Sequence, residues 1–317
     1  MSTTIRFHQY GSPDVLAPEE EQVGMPGPAQ VRLRHEAIGV NFIDTAFRQG
    51  VFPMALPGVT GVEGAGIVEA VGSDVQGIQA GDRMAYFLAP GSYAEVRLID
   101  ASDLIRSPED LSSAEIATVL TKGLTAWAAL NGFYPLKAGE TVLVQGASSN
   151  VGWLVSRWAK ARGARVIGTA GSATKQAAIA GSVDHVLPSG SDDLAARIRA
   201  IAPNGVDVVY EFVGKATFAA SAAAVRDGGT IVTIGAASGS PAIDQADLDS
   251  RNVRVVGGPM AQYVQGRVAQ ASDEVFDAYR KGIFGDFKAT VYPLVEAAAA
   301  HEDIAARRKS GPMILVP

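Results

Sequence analysis

The sequence contains no cysteine. That excludes disulfides, thiolate nucleophiles and any metal site built on sulfur, although it says little about compartment. Histidine is scarce as well: His8, His35, His185 and His301 stand isolated along the chain. A zinc dehydrogenase assembles its ligands from Cys, His and carboxylate, and no such set is legible here. No apolar run reaches the roughly 18–20 residues that cross a bilayer. No Lys/Arg run is longer than Arg307-Arg308-Lys309, and a net charge of −6 argues against a nucleic-acid surface. The opening residues, Met1–Tyr10, carry Arg6 and His8 but no apolar core or cleavage site. They do not read as a signal peptide, so the cytoplasm is the expected compartment. A serine-hydrolase reading of Ser148 or Ser149 fails, because the second glycine of Gly-x-Ser-x-Gly is missing.

What is present points to two packed domains. A chain of 317 residues is too long for one ordinary core, and 47% hydrophobic against 19% charged residues is a globular balance. Residues 1 to about 120 are rich in Gly, Pro and short alternating runs. Val31–Ile38, Gly66–Val71, Arg83–Phe87 and Tyr93–Leu98 read as strands of a β-rich fold. From Leu124 to about Gly258 strands alternate with Ala-rich helices, the pattern of a parallel sheet built from βαβ units. Its expected strands are Thr141–Gln145, Arg165–Thr169, Val206–Val213, Thr230–Ile234 and Val253–Val256, nearly all apolar, as strands covered on both faces must be. After about Ala261 come a helix, a strand (Ala289–Pro293), a helix and a last strand, Met313–Val316. That tail is too short to fold alone and is expected to complete the first domain. The fold class is therefore α/β, with a β-rich domain at 1–122 and 262–317 and a doubly wound parallel-sheet domain at 123–261.

The chemistry-bearing stretch is Thr141-Val-Leu-Val-Gln-Gly-Ala-Ser-Ser-Asn-Val-Gly152. A buried strand ends at Gln145, a turn of small residues follows, and a helix starts near Asn150. Val151, Leu154, Val155, Trp158 and Ala159 give that helix one apolar stripe, and Gly163 ends it. Such a turn aims backbone N–H groups and a positive helix end at a pyrophosphate. The expected cofactor residues are Gly146, Ala147, Ser148, Ser149, Asn150, Val151, Gly152 and, after a later strand, Gly235. An NAD site places Asp or Glu at the end of the second strand to accept the ribose hydroxyls. Here that place reads Gly168-Thr-Ala-Gly-Ser-Ala-Thr-Lys175, with no acid before Asp184. Ser172 and Lys175 suit a 2′-phosphate, so the residues favour NADPH. The plainer reading of Lys175 is a solvated helix residue.

Several segments together resemble, from end to end, the zinc-independent quinone oxidoreductases (the zeta-crystallin type) of the medium-chain dehydrogenase/reductase superfamily. They are Asn41-Phe-Ile-Asp-Thr45, Gly58-Val-Thr-Gly-Val-Glu-Gly-Ala-Gly66, Gly81-Asp-Arg83, Gly91-Ser-Tyr-Ala-Glu95, Gly123-Leu-Thr-Ala126, Trp158-Ala-Lys, Val166-Ile-Gly-Thr169, Val209-Tyr-Glu-Phe-Val-Gly214 and Ala300-His-Glu. The resemblance implies a GroES-like catalytic domain, a Rossmann domain and an active site in the cleft between them. It sets Asn41, Val62 and Thr121 where zinc relatives place metal ligands, which implies no metal. It implies that Asn41 lies beside the nicotinamide, that Thr125 borders the cofactor and that Lys175 meets the 2′-phosphate. Asn41, Asp44 and Thr125 are the expected catalytic residues; the plainer reading of Asn41 and Asp44 is a cap or brace after a strand. The chain departs from the family where Ser149-Asn150 replaces Gly-Gly. It departs again where Ala46 and Phe52 replace two tyrosines and Gly258 an arginine, so the substrate pocket is expected to be larger and more apolar. The expected activity is NADPH-dependent hydride transfer to a quinone or an α,β-unsaturated carbonyl. The alternatives are a dedicated enone or enoyl-thioester reductase and a non-catalytic, crystallin-like NADPH binder. The apolar Val253–Val256 at the expected sheet edge, with the resemblance, suggests a homodimer.

Overall fold

The computed structural model describes residues 1–306 and 311–317. The chain divides into two compact units, Met1–Thr121 with Phe287–Pro317, and Lys122–Asp286.

The first unit is β-rich. Its long central strand, Gln30–Val40, pairs antiparallel with Glu63–Val71 along almost its whole length. On its other side it meets Val96–Asp100 through residues 30–34 and Met313–Val316 through residues 38–40. Register shifts between Arg32 and Leu33 and between His35 and Ala37 let one strand serve both neighbours, since each bulge bends and twists it. Val31, Leu33, Val68, Met84, Tyr86 and Ile99 fill one core, following the two-residue alternation of a strand with one buried face. A smaller sheet of Ala17–Glu21, Ser2–Phe7 and Gly58–Val59 packs Ile5 and Phe7 into a second core with Ile38, Tyr93 and Leu315.

The second unit holds a six-stranded parallel sheet. Its spatial order is His185–Pro188, Arg165–Ala170, Thr141–Gln145, Val206–Glu211, Val225–Thr233 and Arg254–Gly257. The chain starts in the middle, winds out to one edge, returns and winds to the other. That is the doubly wound order whose switch point, at the carboxyl ends of Thr141–Gln145 and its neighbours, forms a ligand crevice. Leu143, Ile167, Val209 and Ile231 lie fully buried across the middle strands.

The strand expected at Tyr93–Leu98 runs instead from Val96 to Asp100, and three features of the second unit also differ from the sequence expectation. The sheet has a sixth strand, His185–Pro188, whose four mostly half-buried residues carry too little apolar signal to stand out. The strand expected from Thr230 begins at Val225, running through Asp227-Gly228-Gly229, because a register shift near Val206 admits it. The return to the first unit comes at Phe287, not at residue 262. The helix Val268–Arg280 and its flanks stay with the parallel sheet because their large side chains are anchored there. Tyr263 lies against Phe133 with ring centroids 3.9 Å apart, and Glu274 Oε2 accepts Trp127 Nε1 at 2.8 Å. Phe284 meets the edge of Trp158, and its carbonyl accepts Trp153 Nε1. A Cβ on Gly123 would fall 2.4 Å from Val275 Cγ1, so only glycine permits that approach.

Candidate functional site

The turn after Thr141–Gln145 has the form an anion needs. Gly146 holds φ +75°, a left-handed conformation that favours glycine. Its N–H donates to Thr169 Oγ1 and that of Ala147 to the Thr169 carbonyl, so the turn is pinned to the second strand. Ser149 caps the helix Asn150–Ala161 by accepting the Gly152 N–H at 3.1 Å. A Cβ on Gly152 would lie 2.4 Å from the Gly146 carbonyl oxygen, so this glycine sets how closely the helix meets the strand. The N–H groups of Ser148, Asn150 and Val151 have no acceptor among the described residues. Three open donors at the positive end of a twelve-residue helix fit a pyrophosphate. Serine at 149 in place of glycine serves as the helix cap, and Asn150 opens the helix. Just after the strand Val225–Thr233, Gly235 lets the backbone approach Phe212, whose carbonyl oxygen would be 2.8 Å from any Cβ there.

The second strand ends at Ala170. Ser172 caps the next helix, Ala173–Ile179, by accepting the Lys175 N–H at 3.3 Å. Lys175 is half-buried and its ammonium makes no ion pair among the described residues. The first acid beyond, Asp184, is engaged elsewhere: its carboxylate binds Lys160 Nζ at 2.8 Å and the Val166 N–H at 2.8 Å. Burial alone would raise its pKa, but these partners outweigh it and hold the carboxyl below its usual range. No carboxylate is therefore free to take a ribose hydroxyl at the place where an NAD site needs one. Thr125 lies half-buried near the end of helix Ser113–Trp127.

In the first unit, Asn41 ends the central strand and opens the short helix Phe42–Arg48. Asp44 Oδ2 accepts the Asn41 N–H at 2.8 Å and the Tyr93 hydroxyl at 3.1 Å. Asp44 is fully buried, so it braces this corner from inside. Tyr93 also bonds His301 Nε2 at 2.9 Å, and burial together with Asp44 raises its phenol well above the ordinary range. The Asn41 amide is turned the other way, donating to Glu63 Oε2 at 2.9 Å, while Glu63 Oε1 accepts the Thr121 N–H at 2.8 Å. The carboxylate lies over Gly39, where a Cβ would fall 2.1 Å from Oε2. At the three positions compared with zinc ligands the chain offers an amide, the alkyl side chain of buried Val62 and a hydroxyl. That donor set does not suit zinc.

Ala46 and Phe52 come together, since the Ala46 carbonyl accepts the Val51 N–H and, at 3.4 Å, that of Phe52. Phe52 also tilts against Phe47 at 5.8 Å, and Phe42, Val51 and Phe52 present an exposed apolar surface. Gly258, in the second unit, is exposed with φ +124°, a conformation that an arginine there would strain.

Comparison with known proteins accounts for these features. The model for zinc-binding dehydrogenases matches residues 150–277, and that for the alcohol dehydrogenase GroES-like domain matches residues 27–109. The chain is 36% identical to a quinone oxidoreductase of Pseudomonas aeruginosa over the whole of both chains. It is 37% identical to a 2-haloacrylate reductase of a Burkholderia species over 98% of each. The structure of the Escherichia coli quinone oxidoreductase complexed with NADPH superposes with a TM-score of 0.94, at 33% identity, over 99% of this chain and all of that one. The chain belongs to the quinone oxidoreductases of the medium-chain dehydrogenase/reductase superfamily. Within residues 150–277 the chain has one histidine, His185, and no cysteine.

Two residues of the site escaped the sequence reading. Glu63 and Glu211 are both fully buried, each at the centre of several hydrogen bonds. Glu211 lies on a strand expected to be covered on both faces, and an acid there is the signal that would have found it; Glu63 falls before the expected strand Gly66–Val71, and no such signal marks it.

Proposed function

We propose that this chain is a zinc-independent, NADPH-dependent oxidoreductase whose acceptor is a quinone or an α,β-unsaturated carbonyl. The observation that carries the reading is the glycine turn with its three N–H donors, together with Lys175, none of which finds a partner among the described residues, and the lack of an acid between Gly168 and Lys175. NADPH, when bound, supplies the hydride. Residues 146–152 would hold its pyrophosphate, Gly235 would leave room beside the crevice, and Ser172 and Lys175 would hold the 2′-phosphate by charge-assisted hydrogen bonds. Asn41 is kept in one orientation by Glu63, and Asp44 fixes the corner from which it projects. Neither offers a nucleophile or a metal, so the task left to the chain is to align reactants and exclude water. The apolar Phe42, Val51 and Phe52 suit a hydrophobic acceptor. Reduction of an activated double bond is the second reading, and the similarity to a 2-haloacrylate reductase supports it.

Fluorescence titration with both cofactors tests the proposal. NADPH is expected to bind more tightly than NADH by about 1–3 kcal/mol; equal affinity would overturn it. We further propose a homodimer. Arg254–Gly257 pairs with Val225–Thr233 on one side and, among the described residues, with no strand on the other. A second copy would cover that edge. Light scattering at micromolar concentration should give twice the mass of one chain; a single chain's mass would rule the dimer out.

A further inference from the structure

We propose that Glu211, Ser221, Gln145 and Thr169 act as one positioning chain that holds the cofactor turn in its anion-binding form. The inference rests on the NADPH reading above and adds to it residues that do not themselves face a ligand. All four side chains are fully buried, on strands or helices of the second unit. Glu211 closes the strand Val206–Glu211. Its Oε1 accepts the N–H groups of Val213 and Gly214 and the Thr217 hydroxyl, at 2.8–3.0 Å. Its Oε2 accepts the Ser221 hydroxyl at 2.7 Å.

From there each hydrogen bond fixes the next. The other acceptor near the Ser221 hydroxyl, the Thr217 carbonyl at 3.1 Å, also takes a proton and gives none. The Ser221 proton is thus committed and its lone pair faces Gln145, whose Nε2 donates to it at 3.1 Å. With the amide nitrogen so placed, Gln145 Oε1 faces Thr169 and accepts its hydroxyl proton at 2.7 Å. The Thr169 oxygen then has a lone pair for the Gly146 N–H, at 3.2 Å. The chain runs across three adjacent strands and ends on the first residue of the turn. Its effect is to draw the Gly146 N–H inward, in the left-handed conformation that glycine permits, so that the N–H groups of Ser148, Asn150 and Val151 are the ones left open. Sequence separations of 24 between Thr169 and Gln145 and 76 between Gln145 and Ser221 explain why no local motif displays it.

Glu211 itself is a poor residue to change, because it also holds residues 213–217. Ser221→Ala and Thr169→Val break the chain at two other points with little change of volume. Each should weaken NADPH binding by about tenfold, the scale of a lost buried hydrogen bond. Because both cuts sever one chain, the double variant should also lose about tenfold rather than a hundredfold. Thr169→Ser, which keeps the hydroxyl, should bind as the parent does. Hydrogen exchange at the Gly146 amide, read by NMR without any cofactor, should quicken in both single variants. Folded variants with unchanged NADPH affinity, or losses that simply multiply, would overturn the proposal. Exchange at Gly146 equal to the parent's in both variants would overturn it too. Failure of the parent chain to bind NADPH would instead refute the cofactor reading, while the exchange measurement would still decide the chain of hydrogen bonds.

Discussion

Glu63 and Glu211 are two fully buried carboxylates, one in each unit, and they organise their surroundings differently. Glu211 gathers a loop and a helix start next to it in sequence, then reaches the glycine turn through three further side chains. Glu63 ties the end of a strand to a helix directly, through the Asn41 amide and the Thr121 N–H. The glycine turn, where we propose the cofactor binds, is thus tied into an extended network of side chains. The corner at Asn41, where we propose the acceptor meets the chain, is held by the Glu63 carboxylate, and beyond it lie the exposed Phe42 and Phe52 and the half-buried Ala46. Recognition of a constant cofactor calls for a fixed array of donors, whereas an apolar acceptor surface recognises by burial alone and tolerates variation.

The largest effect expected from breaking this contrast is in the first unit. Glu63→Ala leaves the Asn41 amide and the Thr121 N–H without their carboxylate. Denaturant titration should show a loss of about 1–3 kcal/mol, the scale for losing buried hydrogen bonds to a charged acceptor. A change under about 0.5 kcal/mol would mean that water or a neighbouring group replaces the carboxylate.

Acid should weaken the same unit. Burial lowers the pKa of both His35 and His301 to about 3, and Arg48 adds to the effect at His301. Both are therefore neutral when folded and take up protons on unfolding once the pH falls below their unfolded value near 6.5. Their contribution is intact above that value and is lost as the pH falls towards 3, by up to roughly 1.4 kcal/mol per pH unit for each histidine. Amide protection factors, which correct for the intrinsic slowing of exchange in acid, should fall between pH 6 and 4 in residues 1–121 more than in residues 122–286. An equal fall in both would remove the histidines as the cause.

Lys175→Ala sharpens the cofactor side of the comparison. The dissociation constant for NADPH should rise, by an amount on the order of 1–3 kcal/mol, while that for NADH stays nearly unchanged. Equal effects on both would return Lys175 to the role of a solvated helix residue.

These contrasts also explain what the sequence could display. The strands Thr141–Gln145 and Met313–Val316 carry unbroken apolar runs and stand where periodicity puts them. The turn is legible because its small residues are consecutive. The partners of Glu63 and Glu211 lie up to 58 and 10 positions away, and no local pattern connects them. The return to the first unit at Phe287 was hidden for a similar reason: Tyr263, Glu274 and Phe284 are held by Phe133, Trp127 and Trp158, far back in the chain. Asp44 looks alike in sequence whether it meets substrate or braces a corner, and its burial and its bond to Tyr93 are visible only in the fold.

The most direct test of the central claim is steady-state NADPH oxidation by the chelator-dialysed protein with benzoquinone, a larger fused-ring quinone and a long-chain enone. Turnover should persist without metal. KM should fall as apolar surface is added, by roughly 0.8 kcal/mol per CH₂ buried, with kcat little changed. Ala46→Tyr should penalise the bulky acceptors more than benzoquinone. Activity that returns only with added zinc, or benzoquinone preferred over both larger acceptors, would contradict a metal-free site that selects by apolar burial.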